Sequence, residues 1–120
     1  MTTSTFTEVT SPFRRTPAYR YIRATDKLPI VIDGDKGPDE IVARVKLFNP
    51  TGAGTWWLAS YDPETEVAFG AAHIFELEAG DIYLPELVAF RGLLGLPIER
   101  DLHYAPKTLE EILADKRYAR

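Results

Sequence analysis

Cysteine is absent from this chain, and that single absence removes disulfides, thiolate nucleophiles and cysteine-ligated metals together. A reduced, cytoplasmic setting is the expectation that follows. Long apolar runs are missing too: nothing approaches the roughly 20 residues that a membrane helix needs. The opening "MTTSTFTEVTSPFRR" lacks a basic segment followed by an apolar one, so it does not have the pattern of a secretory leader. Serine is scarce, at Ser4, Ser11 and Ser60, and none sits in a Gly-x-Ser-x-Gly elbow. Lysine and arginine are absent from Leu47 through Phe90, a stretch that holds Asp62, Glu64, Glu66, Glu76, Glu78, Asp81 and Glu86. A duplex-binding face needs cations to displace condensed counterions, and the middle of the chain offers none.

What cationic charge there is near the N-terminus comes from Arg14, Arg15, Arg20, Arg23 and Lys27, opposed by Glu8 and Asp26. If the protein touches nucleic acid, these five groups are the candidates. Residues 1–17 are rich in threonine, serine and proline without apolar periodicity, and the expectation is a mobile arm ahead of one globular domain, 18–120. "YRYIRA" fits either a strand or the ordered end of that arm.

The centre alternates as strands do. In "VARVKLFNP" the residues Ala43, Val45 and Leu47 share a face, with Arg44 and Lys46 opposite, and this predicts a half-buried strand over 42–48. "TWWLASY" predicts a second at 55–61 and "EVAFGAAHIF" a third at 66–75, with Val67, Phe69, Ala71, His73 and Phe75 on one face. "DPET" between them suits a type I turn. "EAGDIY" offers a further short strand and "LPIERDLHY" an extended segment at 98–104. Pro85 and Gly92 bracket a short helix near 85–92. Thr108 and Glu111 form a capping box for an amphipathic helix near 108–118. The class is α+β: a mostly antiparallel meander with its helices in the C-terminal half.

Each eye-catching motif has two readings. "TGAGT" places Gly52 and Gly54 well for a phosphate loop, but Trp57 stands where a third glycine belongs. No lysine and no helix follow, so a hairpin turn is expected. Trp56 and Trp57, as strand neighbours, point to opposite faces; core is expected for both, and an outward one would anchor a partner beside Tyr61, Asp62 and Glu64. In "IERDLHY", Glu99, Asp101 and His103 share a face at period two, a set able to hold a divalent metal or to line a solvated strand. Arg100 then lies among apolar neighbours and needs an acidic partner. "DGDKGPDE" fails the calcium-loop template, since Gly37 and Pro38 fall where a ligand and the glycine should be.

Taken in order, "VKLFNPTGAGTWWLASYDPE", "AFG" and "LVAFRGLLGLPIERDL" resemble a bacterial family catalogued as domain of unknown function 2958, over roughly residues 44–107. The segment between Gly70 and Leu87, and the first 40 or so residues, depart from the family's usual pattern. The resemblance implies a small protein often carried by plasmids and phages, and it implies no catalytic residue. No cofactor is expected. The first expectation is a non-enzymatic protein–protein interaction module of a mobile element, acting on a host defence or nucleic-acid-handling protein, with a homodimer through strand edges as a further option. The alternatives are a small metal-dependent hydrolase using Glu99, Asp101 and His103, and nucleic-acid binding through the basic arm.

Overall fold

The computed structural model describes residues 9–10 and 20–118. Strands and two short helices follow one another as β1 (Val9–Thr10), β2 (Arg20–Ile22), β3 (Val42–Ala43), β4 (Val45–Phe48), β5 (Thr55–Asp62), β6 (Val67–His73), β7 (Leu77–Tyr83), α1 (Leu84–Ala89), β8 (Glu99–Arg100), β9 (Lys107–Thr108) and α2 (Leu109–Leu113). Five of them form an antiparallel sheet in the order β7-β6-β5-β4-β8, while β1 pairs with β2 and β3 with β9. The fold is α+β, as the alternation predicts. Of the segment expected to be a mobile arm, Val9 and Thr10 are described and are paired; the rest lies outside the described residues.

β5 is the centre of the molecule, and both of its faces are packed. On one face Trp56, Leu58 and Tyr61 join Val45 and Leu47 under β2, α1 and Ile98. On the other, Trp57 and Ala59 join Ala71 and Ala43 under Leu109 and Ile112 of α2. The strand changes phase between these sets. Leu58 pairs with Gly70 but Ser60 pairs with Phe69, so Ala59 is an extra residue, a β-bulge. Past the bulge, Tyr61 points to the face that Leu58 occupies, and Ser60 to the face of Ala59. A side chain on Gly70 would overlap the carbonyl oxygen of Trp57, so the glycine is what lets the bulged strand lie this close.

Several expected boundaries move. Ala43 and Val45 do not share a face: Arg44, whose N–H donates to the Leu58 carbonyl, kinks the chain as it passes from β9 to β5, and the two side chains enter different cores. The third strand ends at His73, and Phe75 stands exposed in the turn to β7 instead of on the strand face. The Ile30–Ile32 run pairs with no strand; it lies as a strap alongside the end of β5, held where Tyr61 N–H donates to the Pro29 carbonyl at 2.9 Å. α2 carries the expected capping box, with Glu111 N–H donating to Thr108 Oγ1 at 3.1 Å and Thr108 N–H to Glu111 Oε1 at 2.8 Å. It stops at Leu113, well short of residue 118, because Asp115 accepts from the Arg117 N–H and begins a new 3-10 turn, Lys116–Tyr118. That turn lays Tyr118 edge-on against Trp57, with ring centroids 5.1 Å apart.

A cleft between the strap and the sheet as candidate functional site

The second face of the sheet is covered over only part of its length. α2 and Tyr118 close it around Trp57, but past the bulge a cleft of about 460 Å³ remains between the sheet and the strap. Ile30, Val31 and Ile32 form one wall, and Val67 and Phe69 the other. Polar groups converge on it from both sides: Ser60 and Asp62 of β5, Asp81 of β7, and Asp33 and Lys36 at the turn that follows the strap. Apolar walls with a few placed polar groups are the usual make-up of a binding site.

The hydroxyl of Ser60 is the most informative of these groups. The residue is 3% exposed, yet its side chain has no hydrogen-bond partner among the described residues and lines the cleft. No buried side-chain polar atom among the described residues is left without a partner, so this hydroxyl opens onto the cleft, where an incoming group can bond it. Asp62 is partly committed, since its Oδ1 accepts from Glu64 N–H at 2.9 Å and shapes the turn into β6. Glu66 closes that turn with φ of 63°, in the left-handed region that non-glycine residues seldom occupy. Ile30 and Val31 present 55% and 75% of their surface to solvent, an apolar lip on an otherwise polar rim.

The expected sites fall differently. Trp56 and Trp57 are both core, as expected, at 8% and 2% exposed. Tyr61 is buried with them, so none of the three offers the outward anchor considered for a partner; Asp62 at the cleft and the exposed Glu64 are what remain of that set. The glycine loop serves geometry: Gly54, at φ of 132°, sits on the Trp56 ring with no room for a side chain. Asn49 and Thr51 are spent holding this loop and its neighbour, Thr51 Oγ1 accepting from Leu93 N–H at 3.1 Å.

Glu99, Asp101 and His103 do not stay on one face. β8 ends at Arg100, and Asp101 Oδ1 accepts from His103 N–H at 2.9 Å, which turns the chain and breaks the alternation. Asp101 also lies 3.6 Å from Lys46 Nζ, and among the described residues no three of His, Asp and Glu group closely enough to hold a metal ion. Arg100 does find its acidic partner. Its guanidinium clasps Asp26 through two 2.7 Å hydrogen bonds, and both side chains are 9% exposed. Burial works against the charged Asp26, but the bonds from Arg100 and from Arg23 N–H outweigh it and hold the carboxyl below its ordinary value. His73 is half-buried and meets Tyr118 edge-on, 5.2 Å between centroids. Of the basic arm, Arg20 opens β2, Arg23 precedes a 3-10 turn and Lys27 follows it, while Arg14 and Arg15 lie outside the described residues.

The architecture therefore defines a small antiparallel α+β domain with a cleft beside the strap that is built of both apolar and charged groups. Residues 22–115, well over half of the chain, match the family described as "Protein of unknown function (DUF2958)", and the protein belongs to that family. The match begins at Ile22, so it takes in the strap that the sequence motifs alone leave outside. No curated protein and no solved structure matches the chain.

Proposed function

We propose that this protein is a non-enzymatic interaction module of a plasmid or phage, and that its cleft receives a segment of a partner protein from the host's defence or nucleic-acid-handling machinery. The observation that carries the binding reading is the cleft itself, with its exposed apolar lip and its unpartnered Ser60 hydroxyl. Neither histidine lines it, so Ser60 has no imidazole base beside it, which favours holding over hydrolysis. The mobile-element setting rests on what the family resemblance implies. An acidic middle without lysine or arginine suits a partner whose own surface is basic, as nucleic-acid-handling proteins are.

Affinity capture from host lysate at physiological salt tests this. The wild-type chain is expected to retain one stoichiometric protein, and the exposed-lip variant Ile30→Ser/Val31→Ser to lose it while keeping its thermal midpoint. Capture that is equal for the two chains, or absent from both, contradicts the proposal.

A further inference from the structure

We infer that the cleft is a pocket for a basic side chain: it takes the ammonium or guanidinium of a lysine or arginine that the partner presents. This rests on the interaction reading above and names the chemistry of what enters. Three carboxylates, Asp33, Asp62 and Asp81, line the cleft against the single ammonium of Lys36. They are not gathered into a metal cage, since no group of three acidic or imidazole side chains among the described residues is close enough for that. Carboxylates that are spread apart suit a spread-out organic cation, which hydrogen-bonds in several directions at once.

The walls fit the rest of such a side chain. Lysine and arginine carry their charge on a flexible apolar stem that packs along apolar surface. Val67 and Phe69 on the sheet and Ile30 to Ile32 on the strap provide that surface, and along the same lining Asp62 is half-buried while Asp33 and Asp81 are exposed. Ser60, a residue 3% exposed that lines the cleft, supplies a hydroxyl that no other side chain of the described residues engages and that can accept from an N–H of the incoming cation. Two separate features, the charge imbalance and a hydroxyl open to the cleft, thus suit the same ligand, a donor-rich cation on an apolar stem.

The test is a titration of the full chain followed by two-dimensional amide NMR, with n-butylguanidinium, the neutral isostere n-butylurea, and the blocked tripeptide acetyl-Gly-Arg-Gly-amide as probes. Saturable shifts from n-butylguanidinium are expected at residues 30–32, 60, 67–69 and 81, with n-butylurea about tenfold weaker, which corresponds to about 1.4 kcal/mol. The exposed-carboxylate variant Asp81→Asn is expected to weaken n-butylguanidinium several-fold and leave n-butylurea unchanged. The tripeptide is expected to bind at least as well as n-butylguanidinium. Equal binding of the neutral isostere, insensitivity to Asp81→Asn, or shifts confined to other residues would overturn the cation pocket. Binding of n-butylguanidinium with exclusion of the tripeptide would overturn its assignment to a protein side chain. Because these probes are added to the pure chain, the cation pocket can fail while lysate capture succeeds, and the reverse.

Discussion

The two halves of β5 belong to one continuous strand and meet opposite fates. Up to Ala59 the strand is sealed on both faces; beyond it, Tyr61 stays sealed while Ser60 and Asp62 look into an open cleft. One extra residue makes the difference. The bulge reverses the alternation, so the polar Ser60 and Asp62 leave the main core's side and an aromatic takes their place there. Had the strand run straight, Ser60 would face the core with Leu58, and Tyr61 would lie under the strap. The lesson is that a site can be made in a strand by shifting its phase, with no change in the elements around it.

The largest effect is expected from removing what admits the bulge. Gly70→Ala drives a methyl group into the Trp57 carbonyl of the central strand, where only backbone can yield, and should cost more than about 4 kcal/mol in urea unfolding. A variant of near wild-type stability would show that the bulge does not depend on this contact. Truncating the sealed half comes next: Trp57→Ala opens a void under α2 and Tyr118 and should cost about 3–4 kcal/mol.

The rim of the sealed face is pinned by Asp26 and Arg100, and Asp26→Asn strands a buried guanidinium at a cost of about 3 kcal/mol. The sign of the pH dependence follows from the lowered carboxyl. Its contribution is fully present above the unfolded value of about 3.9 and is lost as pH falls through the lower folded value. Acid unfolding of Asp26→Asn should therefore be flatter than that of the wild type below about pH 4; parallel curves would remove the pair from the account. In the open half the expected effect is smallest. Ser60→Ala deletes a hydroxyl that bonds to nothing in the protein and should change stability by less than about 0.5 kcal/mol, or raise it slightly. A loss comparable to that of Trp57→Ala would erase the distinction between the two halves.

Much of the frame could be read from the residues. Alternation located β4 and β6, β-preferring residues located β5, the Thr108–Glu111 pair located the start of α2, and the order of motifs pointed to the family that residues 22–115 match. What was illegible is where side-chain hydrogen bonds overrule periodicity. Asp101 and Asp115 each bend the chain through their own carboxylates, ending a strand and a helix that the pattern would extend. The cleft was hidden for a related reason. Ser60 was visible as a lone polar residue in an apolar strand, but a bulge leaves no mark in a pattern of alternating residues. Ile30 to Ile32 has the composition of a strand, and what marks it as a strap is that it pairs with no strand while the preceding Pro29 carbonyl accepts from Tyr61 N–H. Asp81 reaches the cleft through the pairing of Phe69 with Asp81 across β6 and β7, a neighbour relation that no local spacing contains.

The most direct measurement is a crystal structure of the full chain grown with n-butylguanidinium. The account predicts the butyl stem between Phe69 and the Ile30–Ile32 strap, with the guanidinium within hydrogen-bond distance of Ser60 Oγ and of Asp62 or Asp81. A cleft left empty while the cation sits elsewhere on the protein would contradict it.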